Sequence, residues 1–412
     1  MQTSCDLVII GAGAAGLAAA RAALAAGLNI ELVEAASRIG GRGHTDTTSF
    51  PAPFDMGCQW LHAATINPYT AIADRLGIRY RRYDFNYRIH DGTWWLNDQL
   101  VAEFSRDLAG FYDRVAQAGN EGKDVPAADF LAQGAPWTPL IRRAYTGYMA
   151  AAPEAVSTYD TSRFRFTEED WPVEDGYGTL IERDGEDLEV NLGCPVKSID
   201  WGEKEIMVGT ARGMIFCRAV LITVSIAVLQ AERIKFFPLL PDWKQSAIAR
   251  IEMGHAEKVG LWLKRDVLAG LDPHFAMLNW DGAPTAGFFM RPFERPMATL
   301  FTSGDFARDL FAQGADAAIA EAKSLLAKIC GADILKEITT AKATSWGTDP
   351  WHLGAYSVLK PGGGEARVEL AQPVDDRLFF AGEATSSDGF STAHGAYNSG
   401  VAAIDAIKRA LA

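Results

Sequence analysis

Gly11, Gly13 and Gly16 stand in a G-x-G-x-x-G run between a strand-like stretch, DLVII, and a helix-like one, LAAARAALAAG. In that setting a glycine turn is a phosphate cradle. The first glycine permits the tight turn, the second lets the backbone approach a pyrophosphate, and the third lets helix and strand pack closely. Ala14 and Ala15 open the helix, whose N-terminus offers amide donors and a favourable dipole. A second strand, LNIELVE, ends on Glu34, followed by Ala35. The acid is placed to accept hydrogen bonds from ribose hydroxyls. Just beyond it, Arg38, Gly40, Gly41 and Arg42 supply two guanidinium groups that can pair with pyrophosphate oxygens and two flexible residues that let the backbone run against an extended cofactor. The glycine motif alone does not separate a nicotinamide from a flavin dinucleotide. No second unit of the kind is visible, so a nicotinamide site is not expected.

Other residues have the right chemistry but less context. Lys258 lies in the apolar run EKVGLWL, so its ammonium either is buried with a partner or snorkels to a strand edge. His62 is a candidate whose plain reading is a partly buried histidine satisfied by backbone. Tyr356, in an apolar strand, reads as core. Glu168, Glu169, Asp170, Glu174 and Asp175 put five carboxylates within eight residues, either a solvated loop or an acidic rim that collects cationic amines. Cys5, Cys58, Cys194, Cys217 and Cys330 show neither a CxxC pair nor a Cys/His metal spacing, so reduced thiols and no metal are expected.

The elements that must position these residues fall into two groups. A chain of 412 residues with 48% hydrophobic side chains exceeds what one compact core usually supports, so two domains are expected. The βαβ start, a return near GYGTLIERDG and the run RLFFAGEAT suggest a dinucleotide domain from residues 1–79, 176–235 and 346–412. Residues 80–175 and 236–345, with aromatic-rich strands and amphipathic helices such as EFSRDLAGFYDRVAQ, form a substrate-binding α+β domain. A net charge of −13 argues against nucleic acid, whose binding needs a basic face. No run approaches ~18 uninterrupted apolar residues, and the strand starting at Asp6 leaves no room for a signal peptide. A cytoplasmic protein without a membrane anchor is expected, and a homodimer is left open.

The arginine segment after the ribose acid resembles the glutathione-reductase-like FAD proteins and, more narrowly, the flavin-containing amine oxidase family. Further stretches resemble that family in the same order. Asp55-Met-Gly57-Cys58-Gln59-Trp60-Leu-His62 is similar to the segment running past the flavin into the substrate cavity. LITVSIAVLQ and IKFFPLLPDWKQSAIARIEMGHAEKVGLWL resemble the central stretch with its lysine, here Lys258. TSWGTDPWHLGAYS carries Trp346, Trp351 and Tyr356, and LFFAGEATSSDGFSTAHGAYNSGVAAIDAI carries Gly382, Glu383, Thr392 and Ala393.

The resemblance implies a glutathione-reductase-type FAD fold with FAD contacts from these segments and from Val196. It also implies oxidation of a primary or secondary amine, polyamine or monoamine, with hydride transfer to flavin N5, imine hydrolysis and reduction of molecular oxygen to peroxide. Lys258 matches the lysine that holds a water against N5. Tyr356 matches one wall of the amine cage, and Thr392 stands where many members carry the second aromatic wall. That departure is closer to the lysine-specific histone demethylases than to the mitochondrial monoamine oxidases, although the helical insertion of the demethylases is absent. Ala355 replaces the cysteine that attaches to the flavin in monoamine oxidases, so FAD is expected to be non-covalent. His62 matches a histidine beside the channel of animal polyamine oxidases. An L-amino-acid oxidase, a desaturase or oxidase of apolar substrates, and a redox-silent FAD-binding protein are the rival readings. The first needs an arginine clamp that the segment after Gly57 does not offer.

Overall fold

The structure is a computed structural model that describes residues 3–82, 87–165, 167, 169–270 and 275–412. Its first strand, Thr3–Ile10, leads across the glycine turn into the helix Ala14–Ala25 and the strand Ile30–Val33. Thr3–Ile10 pairs in parallel with Ile30–Val33 on one side and with Gly213–Ile222 on the other, and the latter pairs in parallel with Leu378–Phe380. Helices cover both faces of such a sheet, which is why Leu7, Val8, Ile9, Val220 and Leu221 form near-continuous apolar runs and are fully buried. The outer strands Ile206–Thr210, Val196–Asp200 and Lys235–Phe237 extend it to seven.

The second sheet has six strands in the order Ile338–Ala343, Ala256–Leu263, Met297–Ser303, Ala286–Met290, Phe275–Leu278 and Tyr87–His90. Val259, Leu261, Leu263, Ala276, Leu278, Phe288, Ala298 and Leu300 point to one face and share a core with the helix Ala315–Cys330. Because side chains alternate along a strand, Lys258, Phe275, Gly287, Phe289 and Phe301 occupy the opposite face. The α/β class with a second mixed sheet agrees with the sequence reading.

One stretch departs from the expected division. Phe236, Leu240, Ala247, Ile248 and Ile251 join the core of the seven-stranded sheet, so a boundary at residue 236 falls inside one hydrophobic cluster. The proline-rich turn around Pro238 and Pro241 turns the chain back on itself and does not lead it away. The helix that follows, Asp242–Arg250, is tied down by Lys244, whose buried Nζ donates to the carbonyls of Glu369, Leu370 and Gln372 at 2.9, 2.7 and 2.5 Å. These carbonyls lie at the end of the helix Ala366–Ala371, a position where a cation also meets the negative end of the helix dipole. No helix among the described residues is long and apolar enough to cross a membrane.

Candidate active site

Gly11 turns the chain with φ +103°, and a Cβ there would lie 2.6 Å from Thr223 Oγ1. Thr223 ends the neighbouring parallel strand and donates its hydroxyl to Ile10 O at 2.8 Å, locking the turn to the sheet. At Gly13 a Cβ would be in ordinary contact with Gly41 Cα at 3.7 Å, so the glycine turn and the Gly40–Gly41 loop lie side by side. Ala14, Ala15 and Gly16 form the first helical turn, which has no side-chain cap and no acidic residue. An uncapped N-terminus after a glycine turn is a cradle for a phosphate group, and these residues fit a dinucleotide. It lies at the carboxyl ends of the parallel strands, where such sheets bind ligands.

Glu34 is buried, and both carboxylate oxygens are held, Oε2 by Ala12 N at 2.7 Å and Oε1 by Ala36 N at 2.8 Å. The acid therefore braces the glycine turn against the residues after Ala35 while standing at the expected ribose position. Val196 is buried on the first sheet, two residues past Cys194, whose amide donates to Glu34 O.

The two arginines divide their work. Arg38 donates to Ile39 O at 2.9 Å and Gly41 O at 2.8 Å, so it shapes the Gly40–Gly41 loop rather than reaching for phosphate. Arg42 donates to Ala355 O at 2.7 Å and to Glu383 Oε1 at 2.9 Å. Glu383 is buried, and its other oxygen accepts from Ser357 Oγ at 2.6 Å and Ser391 N at 3.0 Å. Burial pushes the Glu383 carboxyl up, but Arg42 and Arg367 outweigh it and hold the group below its ordinary value. Residues 42, 355–357, 383 and 391, far apart in sequence, thus close one network beside Gly382 and Ala393.

Lys258 is buried at 6% exposure, and its Nζ donates to Asp55 O at 2.9 Å, Gly57 O at 2.8 Å and Gln59 Oε1 at 3.0 Å. An ammonium has three N–H donors. All three bind the segment that passes the cofactor site, so the ammonium is buried with partners and does not snorkel to a strand edge. Burial lowers its pKa to about 8, opposed by the nearby Asp55 carboxylate. Asp55 in turn accepts from Tyr177 N, Gly178 N and Thr45 Oγ1, sitting at the N-terminus of the helix Tyr177–Gly185. Burial raises its pKa. Next to Lys258, the Glu257 carboxylate accepts from Gly347 N at 2.8 Å and from Thr344 Oγ1, fixing the turn that carries Trp346. The Trp346 indole donates to Met56 O at 2.9 Å.

Tyr356 is half-buried, and its hydroxyl donates to Tyr148 O at 3.2 Å, at the end of the helix Thr138–Met149. The Thr392 hydroxyl is engaged by the backbone. The Oγ1 accepts from Gly395 N at 3.0 Å and donates to Gly389 O at 2.6 Å, capping the helix Ala393–Leu411. His62 Nδ1 lies 3.0 Å from Asp170 Oδ1. His394, pushed down to about 4 by burial and by His62, belongs to the same cluster. Trp351 is exposed at 39%, and burial pushes the Cys58 thiol up to about 12, so no reactive thiolate stands there. Trp60 packs against Phe289 with ring centroids 5.8 Å apart.

The acidic run is largely neutralised. Arg81 Nε meets Glu174 at 2.7 Å and Arg79 Nη2 meets Asp175 at 2.6 Å, Glu169 accepts from Thr65 Oγ1 at 3.4 Å and Asp170 stands beside His62; Glu168 lies outside the described residues. Sequence reasoning missed Thr223, Ser357, Glu257 and the role of Asp55, whose partners are contributed from distant parts of the chain.

A phosphate cradle on a parallel sheet, facing a second mixed sheet that sends a buried lysine back to the cradle's own flank, is the plan of a two-part flavoprotein oxidoreductase. Residues 14–111 and 127–408 match the family described as flavin containing amine oxidoreductase. The chain is 30% identical to polyamine oxidase 4 of Oryza sativa subsp. japonica, over 98% of this chain and 88% of that one. It is 28% identical to lysine-specific histone demethylase 1B of Mus musculus, over 96% of this chain and 52% of that one. Wild-type putrescine oxidase bound to putrescine shares the fold at TM-score 0.77 and 21% identity, covering 99% of this chain and 100% of that one. The chain belongs to the flavin-containing amine oxidoreductase family. It is a flavin-dependent amine oxidase, with FAD as the family cofactor.

Proposed function

We propose that the chain oxidises a primary or secondary amine, a polyamine or a monoamine, with molecular oxygen as the final acceptor. The carbon next to nitrogen loses a hydride and the nitrogen a proton. Water then adds to the resulting C=N bond, the C–N bond breaks to give a carbonyl compound and ammonia from a primary amine or the smaller amine from a secondary one, and oxygen takes up two electrons and two protons as hydrogen peroxide. FAD, when bound, supplies the two-electron acceptor for the hydride.

In this reading the helix that starts at Ala14 and the loop shaped by Arg38 hold the pyrophosphate, and Glu34 holds the ribose end. Arg42, Glu383 and Ser357 keep the Ala355–Tyr356 backbone in place, so that the Tyr356 ring stands beside the substrate. Phe289 and Phe301 keep water away from the Lys258 side, which strengthens every polar contact there. The observation that carries the proposal is Lys258. A buried ammonium is costly unless fully bonded, and here it bonds only the Asp55–Gln59 segment that flanks both cofactor and substrate spaces. Polyamine oxidases among the relatives support an amine substrate. We further propose a cytoplasmic enzyme and a substrate half built around the six-stranded sheet. Oxygen uptake with each amine, with catalase returning half of the oxygen consumed and an aldehyde or ketone formed in equal amount, is the expected result. Oxygen uptake that does not depend on added amine would overturn the reaction.

A further inference from the structure

Arg143, on the helix Thr138–Met149, is half-buried and among the described residues has one side-chain hydrogen-bond partner, Asn279 Oδ1, at 3.1 Å from its Nη2. Its Nε is buried with no hydrogen-bond partner among the described residues. Its pKa is lowered by burial, and among the described residues no neighbouring carboxylate opposes the shift. This is unusual in a chain with 52 acidic residues. The adjacent Arg142 grips Glu154 at 2.6 and 2.7 Å, and the buried Arg367 is held in a fork by Asp160 at 2.8 and 2.9 Å. A guanidinium taken out of water normally finds an anion or several carbonyl acceptors, and among the described residues Arg143 finds a single amide oxygen.

Its position says what such an anion belongs to. Asn279 follows the strand Phe275–Leu278, and by alternation it shares a face with Phe275 and Met277, the face that also carries Lys258. The ladder runs Lys258, Phe301, Gly287, Met277 across four neighbouring strands. Three inter-strand spacings, with two residues along the strand, put Asn279 roughly 16 Å from Lys258. Between them Phe301, Phe289 and Phe275 form an aromatic floor, with ring centroids 6.4 and 4.8 Å apart in sequence. A lysine at one end, hydrocarbon in the middle and an uncompensated arginine at the other describe a long site that is apolar in its centre.

We infer that Arg143 and Asn279 form a subsite for a carboxylate carried at the far end of the amine substrate. The inference rests on the reading that this chain oxidises an amine, and it narrows the substrate to a long ω-amino carboxylate or a secondary amine bearing one. A second ammonium at that end, as in a linear diamine, meets the Arg143 charge and is disfavoured. The separation also excludes an α-amino acid, whose carboxylate is one carbon from the nitrogen.

The test uses the FAD-loaded enzyme with ω-aminooctanoate, octylamine and diaminooctane, and octanoate as a non-reactive probe. A charge-assisted bond to a half-buried guanidinium corresponds to about 10- to 100-fold, so ω-aminooctanoate should exceed diaminooctane in kcat/KM by that factor, chiefly through KM. Octanoate should compete with octylamine and raise the thermal midpoint of the wild-type enzyme. Arg143→Gln should bring the ratio of the two substrates close to one and abolish the octanoate shift. Preference for diaminooctane in the wild type, or octanoate that neither competes nor stabilises, overturns the subsite without any variant being needed. Should no amine be oxidised while octanoate still stabilises the wild type and not Arg143→Gln, the anion subsite stands and the amine reading fails.

Discussion

Replacing Lys258 by methionine tests how the two halves of the site are coupled. Methionine is unbranched and of similar length, so it follows the same path along the strand Ala256–Leu263. It leaves Asp55 O, Gly57 O and Gln59 Oε1 without their donor. Hydrogen bonds to a charged group contribute about 1.5–3 kcal/mol each, while removing a buried cation relieves its desolvation. The net expectation is a loss of about 3 kcal/mol, within the range for breaking a buried charged contact. The pH dependence has a definite sign. With a folded-state pKa of about 8, below the ordinary lysine value, the native state binds fewer protons than the unfolded chain from about pH 8 upward to that ordinary value. Stability from this site therefore rises with pH through that window. Lys258→Met loses that rise. Flavin reduction and reoxidation, followed separately by stopped flow, should slow by ~10²–10⁴-fold in at least one of the two steps if the lysine also positions a proton or a water there. An FAD-loaded variant whose thermal midpoint matches wild type and whose two half-reactions both stay within about threefold, far less than general catalysis supplies, refutes both the tethering and the catalytic argument.

Glu34→Gln should weaken FAD binding and stability by about 1–3 kcal/mol, because the amide NH₂ would face either Ala12 N or Ala36 N, each already a donor; unchanged flavin content would show that the brace is dispensable. Thr392→Ala removes the cap of the last helix and should lower stability by ~1 kcal/mol, read as a fall in unfolding midpoint. A changed order of preference among amines in Thr392→Ala would return this residue to the cavity wall. With Ala355 in place of a thiol, acid precipitation should release all the flavin into the supernatant; colour kept by the washed pellet would contradict it.

The sequence made the cofactor half readable because its logic is local. Three glycines, a following helix and Glu34 lie within one βαβ unit, and each has its meaning from its neighbours alone. The Thr392 cap was also local: a threonine before a helix whose third residue donates back is an N-terminal signature. The expectation of an aromatic-cage position obscured it. What could not be read were pairings across the chain. Lys258 meets residues about two hundred positions away, and nothing in EKVGLWL says that all three of its donors are engaged. Arg79 and Arg81 find Asp175 and Glu174 because Tyr80 bridges Val173, a contact that turned a run of acids into ion pairs. The helix Asp242–Arg250 was assigned across a proline turn, where composition suggests an exit and packing makes a return.

The central claim is that this chain takes a hydride from the carbon beside an amine nitrogen. Anaerobic mixing of the FAD-loaded enzyme with a panel of amines and amino acids, followed through the flavin absorbance, tests it directly. The account predicts bleaching by at least one amine and recovery of the oxidised spectrum on admitting oxygen. Flavin that stays oxidised with every amine, or that is bleached by α-amino acids alone, contradicts it.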